Sequence, residues 1–232
     1  MEKLYNGFTL ELSEGAFPLS TDSIALAGFV SLKKNASVLD LFSGCGTLGL
    51  LLCAEHPDCV VTGVEINQDD HLMAQHNAAC NHISSRLNSI CTNVCNVPEI
   101  LKTGSFSVCV SNPPYFTSGP QSKSVPTARR DDLLPMEKLF QSASWALRYG
   151  GEFYIVHRPE RLAELIAWGK NNQLEPKVLQ LLRHRADGPI ALILIKFRKG
   201  GKPGLIWDEQ HLFQADGTPS DYYKRLYHIQ EG

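Results

Sequence analysis

Ser37-Val-Leu-Asp-Leu-Phe-Ser-Gly-Cys-Gly-Thr-Leu-Gly49 decides the fold. Its first five residues are a short apolar run that breaks at once into a glycine-rich turn. Leu48 to Ala54 then predicts a helix, stopped by His56-Pro57-Asp58, and Cys59-Val-Val-Thr-Gly-Val-Glu65 is a β-branched run of buried-strand type. The same alternation continues outward. Asp69 to Asn81 reads as a helix with acids at its positive end, and strands follow at Asn88 to Thr92 and Ser105 to Ser111. Met136 to Leu147 predicts a helix ended by Gly150-Gly151. Glu152 to Val156 is a strand, Glu160 to Lys170 a helix, and Lys177 to Leu182 and Ile190 to Phe197 are the last two strands. Strands alternating with helices predict an α/β fold with a seven-stranded, mostly parallel sheet. The turn at Asp187-Gly-Pro189 is too short for a parallel crossover, so the last pair is expected to be antiparallel. Residues 1–35 fall outside this rhythm. They read as a short N-terminal extension packed on the core, with a hairpin strand at Phe8 to Leu12 and a helix at Asp22 to Leu32 capped by Thr21 or Asp22. Residues 36–232 form the main domain.

The composition sets limits on function. The chain has 232 residues, 43% hydrophobic and 20% charged, which is enough apolar material for a sizeable core. A formal net charge of −2 excludes a protein that coats nucleic acid by charge alone. No run approaches the roughly 18 apolar residues of a membrane span, and Met1-Glu-Lys-Leu-Tyr-Asn6 lacks the apolar stretch of a signal peptide. The seven cysteines form no Cys-x-x-Cys pair, and their number is odd. They read as reduced packing residues of a cytoplasmic protein. Cys91 and Cys95 with His82 or His76 fit no structural zinc spacing, so no metal is expected.

Three places carry chemistry. Gly44, Gly46 and Gly49 at a strand-to-helix turn let a ligand approach the backbone. Asp40, just before them, favours an amino group over a phosphate. Glu65 ends the next strand, where a carboxylate can accept both hydroxyls of a ribose. Asn112-Pro113-Pro114-Tyr115 follows the fourth strand, at the end where open α/β sheets bind ligands. The two prolines remove two N–H donors and make a rigid corner with outward carbonyls. An exocyclic amine could give one proton to the Asn112 side chain and one to the Pro113 carbonyl while its ring stacks on Tyr115. That arrangement aligns the nitrogen for in-line attack on a methyl group.

With these motifs the sequence resembles the class I S-adenosylmethionine-dependent amino methyltransferases. Among them it most resembles the bacterial tRNA(Val) adenine N6-methyltransferases, which modify the base 3′ of the anticodon. Further support comes from Pro18 to Leu26, Ala128-Arg129, Gly151 to Arg161 and Lys196 to Gly204. The resemblance implies a Rossmann-like fold, with 36–232 as catalytic domain, S-adenosylmethionine as cofactor and S-adenosylhomocysteine as product. It implies tRNA as partner, with no membrane and no obligate protein partner. Asp40, Gly44 and Gly46 then match the cofactor loop and Glu65 the ribose acid. Asn93 stands where the family usually has an Asp near the cofactor adenine, and Thr21 and Asp22 match a segment that closes over the cofactor. Phe42 replaces a usual glycine.

Arg183, His184, Arg185, Lys196, Arg198, Lys199 and Lys202 cluster late in the chain, and Lys123, Arg129 and Arg130 follow the catalytic tetrapeptide. Lys123, Arg129, Arg130, Arg183, Arg185, Arg198 and Lys199 are therefore expected to form a basic rim for RNA. The same tetrapeptide suits methylation of a release-factor glutamine or of rRNA guanine N2, but those enzymes carry an additional domain for which this length leaves little room. A non-catalytic binding module would not need the tetrapeptide. A nicotinamide dehydrogenase would need a later substrate domain.

Overall fold

The computed structural model describes residues 1–114 and 136–229. Glu2–Lys3 (β1) and Thr9–Leu10 (β2) pair as a small antiparallel hairpin, followed by helix α1 (Thr21–Phe29). Ser20 caps α1, accepting from the Ser23 N–H, so the cap lies one residue before the expected Thr21 or Asp22. The main sheet starts with β3 (Ser37–Leu41), α2 (Thr47–Glu55), β4 (Val60–Glu65), α3 (Gln68–Cys80) and β5 (Leu87–Cys91). These three strands are parallel and step to one edge. After the short α4 (Val97–Ile100), β6 (Phe106–Ser111) returns to the free side of β3. Helix α5 (Met136–Ala146) leads to β7 (Leu147–His157), parallel to β6. Helix α6 (Leu162–Asn171) precedes β8 (Leu174–Arg185) and β9 (Ile190–Lys199), an antiparallel pair whose β9 also lies antiparallel to β7.

All seven expected strands are present, and an eighth adds to them. β10 (Ile206–Phe213) pairs parallel with β8 at the sheet edge, before α7 (Asp221–Leu226). Asp208, Glu209 and Gln210 interrupt its apolar pattern, and only Leu212 is buried. An edge strand with one buried side chain carries little periodic signal. Gly150 (φ 76) and Gly151 do not end a helix as expected. They lie within the start of β7, where the register against β6 shifts after Phe106. A Cβ at Gly151 would meet the Arg148 carbonyl at 2.9 Å, so the bulge requires glycine.

Alternate strand residues feed two cores. Val38, Val108, Val110, Val156 and Leu194 pack with α1, α2 and α7 on one face. Leu39, Cys109, Phe153, Ile155 and Ile195 pack with α5 and α6 on the other. The order β10-β8-β9-β7-β6-β3-β4-β5 reverses direction between β3 and β6. That switch point opens a crevice at the carboxyl ends of both strands. Among the described residues no helix is long and apolar enough to cross a membrane.

Candidate active site

The crevice is built first by the turn leaving β3. Phe42 (φ 67), Gly44 (φ 52) and Gly46 (φ 81) all take left-handed backbone. A Cβ at Gly44 would meet open space, which leaves room for a ligand over the turn. The strain at Phe42, about 1–2 kcal/mol, is the physical reason a glycine is usual there. Phe42 and Ser43 both donate their N–H to the Val64 carbonyl at 3.1 Å, tying the turn to β4. Gly63 lies opposite Asp40 in the β3–β4 register. A Cβ at Gly63 would come 2.5 Å from Ser43 Oγ, so the turn folds back only over a glycine. Gly46 precedes α2 with no side-chain cap, leaving the first helical N–H groups facing the turn.

Two carboxylates stand beside this turn. Asp40 is buried, and its Oδ2 has no hydrogen-bond partner; Ser43 Oγ is likewise unpartnered. Burial first, and the nearby Glu65 charge second, push the Asp40 carboxyl from its ordinary 3.8 up to about 7. Glu65 Oε2 accepts from the Gly44 N–H at 2.9 Å and Oε1 from the Asn67 N–H at 2.8 Å. Each oxygen keeps a lone pair that can accept a further donor. Burial raises the Glu65 pKa as well. An orphaned buried carboxylate oxygen wants a cationic donor, and a backbone-fixed carboxylate with spare lone pairs suits a diol. This donor set fits the amino-acid and ribose parts of S-adenosylmethionine. Asn93 follows β5, and its Oδ1 accepts from the Cys95 N–H at 2.8 Å, which fixes the amide beside the same crevice.

The N-terminal extension braces the turn. Asn77, on α3, is buried. Its Nδ2 donates to the Cys45 carbonyl (2.9 Å) and the Glu11 carbonyl (2.8 Å), and its Oδ1 accepts from the Glu11 N–H. Asn81 binds both backbone groups of Thr9 in the same way.

Asn112 leaves β6 across the switch point from Asp40. Its Nδ2 donates to Ser23 Oγ at 3.0 Å, while Ser111 Oγ donates to the Leu41 carbonyl at 2.8 Å and holds β6 to β3. Pro113 and Pro114 follow. Tyr115, Lys123, Arg129 and Arg130 lie outside the described residues.

The remaining cations divide between the two ends of the sheet. Arg183 and Arg185 end β8 at the crevice side. Antiparallel β9 carries Arg198, opposite Glu152, and Lys199 to the other end. Lys199 Nζ donates to the Leu147 carbonyl at 2.8 Å and also to the Ser144 carbonyl, closing the end of α5. Arg198 and Lys199 therefore do not join the expected rim; the antiparallel direction of β9, expected from the short turn, carries them to the far end. Thr21 and Asp22 start α1 beside the crevice end of the sheet. They line a cleft of about 160 Å³ with Arg158, Arg183, His184 and Leu212. By sheet order this cleft lies on the β8 side of Asn112, away from Asp40 and Glu65.

Sequence reading missed Ser23, Asn77, His157 and Arg158. His157 is buried at the carboxyl end of β7, and its Nδ1 accepts from the Arg158 N–H at 2.8 Å. Burial, then the Arg161 charge, push its pKa down to about 4, so the ring is neutral at pH 7. The Gly151 to Arg161 stretch was the available signal for His157 and Arg158. Pro18 to Leu26 was the corresponding signal for Ser23, and Asn77 had none, because its partners are distant in sequence.

Residues 21–166 match the family described as the methyltransferase small domain. The chain belongs to this family. It is 31% identical over 162 residues to the tRNA1(Val) (adenine(37)-N6)-methyltransferase of Shewanella halifaxensis, a stretch covering 69% of this chain and 65% of that one. It is 23% identical over 225 residues to the protein of the same description from Pedobacter heparinus, covering 96% of this chain and 94% of that one. A crystal structure described as a predicted O-methyltransferase from Agrobacterium tumefaciens superposes with a TM-score of 0.76 at 20% identity, over 90% of this chain and 96% of that chain. That likeness concerns the fold.

Proposed function

We propose that the protein methylates the N6 amine of an adenine in tRNA, using S-adenosylmethionine. The observation that carries this reading is Asn112 at the switch point, its amide held by Ser23, across from two buried carboxylates. The tRNA substrate, and adenine 37 within it, rest on the likeness to the tRNA1(Val) (adenine(37)-N6)-methyltransferases. A cytoplasmic location follows from that substrate.

Asp40 holds the amino group of the cofactor, Glu65 its ribose hydroxyls, and Asn93 faces its adenine. Gly44 and Gly46 let the cofactor lie against the turn. The bound cofactor supplies an electrophilic methyl group on its sulfonium. Asn112 Oδ1 and the Pro113 carbonyl accept the two protons of the adenine amine, which aims the nitrogen at the crevice and raises its electron density. Ser23 Oγ accepts from Asn112 Nδ2 and so fixes which way the amide points. Tyr115 supplies the ring face for stacking. No strong base is required, since methylation itself makes the nitrogen acidic enough to release a proton to water.

The test uses bulk tRNA from a bacterial strain lacking such an enzyme. Purified protein with S-adenosylmethionine should generate N6-methyladenosine on nucleoside analysis. Asn112→Ala should lower the rate by about 10²–10³, the usual effect of removing one preorganised transition-state contact. Its cofactor affinity by calorimetry should stay within a few-fold. Equal transfer by Asn112→Ala would overturn its assigned role.

A further inference from the structure

The cleft beside α1 is not used by the mechanism above, yet it adjoins the catalytic corner. One turn of helix joins the two. Ser23 touches Asn112, while Thr21 and Asp22, its chain neighbours, form a wall of the cleft. The opposite wall comes from the carboxyl end of β7, the end of β8 and the end of β10, and it carries Arg158, Arg183 and His184. Arg158 and His184 are exposed and Arg183 is half-buried. Arg183 is held in place from two sides. Its Nε donates to Glu209 at 2.6 Å and its Nη1 to the Gly188 carbonyl at 2.5 Å. A guanidinium fixed in this way, by the Glu209 ion pair and the Gly188 carbonyl, has Nη2 donors left for a further acceptor at little entropic cost. The His184 ring leans on Phe213, with centroids 5.1 Å apart. Cations beside an aromatic pair, next to a polar wall, are the chemistry that grips a nucleotide by its phosphate and base. Asp22 and the Thr21 hydroxyl on the facing wall suit a sugar hydroxyl, and the Asp22 charge would repel a second phosphate placed there.

We propose that this cleft holds the nucleotide adjoining the target adenosine, with Arg158 and Arg183 on its phosphate and the His184 ring, backed by Phe213, under its base. The proposal rests on the tRNA reading above and adds a subsite to it. The location also explains why Arg183 differs from the far-end Arg198, which cannot reach the same nucleotide.

The experiment measures tRNA affinity and methylation for wild type, Arg158→Gln, Arg183→Gln and Arg198→Gln across a salt series. Wild-type methylation of tRNA is the first arm; its absence would remove the functional reading itself. Given wild-type activity, Arg158→Gln and Arg183→Gln should each weaken tRNA binding about tenfold, as loss of a charge-assisted bond does. Each should also lower the slope of log affinity against log salt by about one. Cofactor affinity and melting temperature should hold. Arg198→Gln should match wild type. Equal effects of Arg183→Gln and Arg198→Gln would reduce the cleft to general surface charge. No effect of either cleft variant in a folded, active protein would overturn the proposal. Arg158→Lys separates the two kinds of contribution: charge alone restores the salt slope, while a forked grip is restored only by arginine.

Discussion

In the proposed function, Asp40 is the residue whose ionisation links the fold to cofactor binding. In the folded chain its carboxyl titrates at about 7, against an ordinary 3.8. Between those values the folded state binds more protons than the unfolded one, so this group's contribution to stability falls as pH rises through that window and is level above it. Binding an ammonium group next to Asp40 requires the ionised form. S-adenosylmethionine affinity should therefore climb from pH 5 to 7, approaching about tenfold per unit at the low end, and flatten above 7. Calorimetry in two buffers of different ionisation enthalpy should detect proton release on binding near neutrality. A flat affinity with no proton release would show that Asp40 does not face the cofactor's charge. Asp40, Glu65 and Asn112 were legible in the sequence because each follows or ends a recognisable strand, where an open sheet puts its ligands. What Ser23 touches was not legible. A serine in the first turn of a helix has an ordinary local role, and its contact with Asn112 exists only because α1 lies over β6.

At the scale of elements, the N-terminal extension works as a brace. Asn77 joins α3, the Glu11 backbone and the Cys45 carbonyl through three bonds inside the core. Asn77→Ala leaves buried partners unmatched, at about 1–3 kcal/mol each. A loss of roughly 2–4 kcal/mol would lower the melting temperature by about 5–15 °C at this chain length. Cofactor affinity should fall with it, because the glycine turn loses its anchor. An unchanged melting temperature would mean the extension is held elsewhere. The regular βα units were readable because their buried strands are continuous apolar runs. Three other features were hidden for definable reasons. β10 is an edge strand with one buried side chain, Gly150-Gly151 looks the same in a bulge as in a helix end, and the Ser20 cap competes with two adjacent capping residues. The placement of the late cations was the largest gap. The antiparallel β8–β9 pair was expected from the short turn, and it is this pairing that sends Arg198 and Lys199 to the far end.

Over the whole molecule, a net charge of −2 hides a division of roles. Acids Asp40 and Glu65 lie inside the crevice over β3 and β4, while Arg158, Arg183 and Arg185 gather at the carboxyl ends of β7 and β8. In the proposed function, the cofactor half and the RNA half of the site meet at Asn112, just after β6. Overall charge supplies little affinity, so on the proposed reading recognition depends on these few cations and on the corner at Asn112. The most direct measurement is methyl transfer from labelled S-adenosylmethionine to two tRNA1(Val) transcripts, one with adenosine at position 37 and one with guanosine there. N6-methyladenosine formed on the first and no label on the second is the predicted result. Label on both transcripts, or on neither while a release factor is methylated, would contradict the assignment.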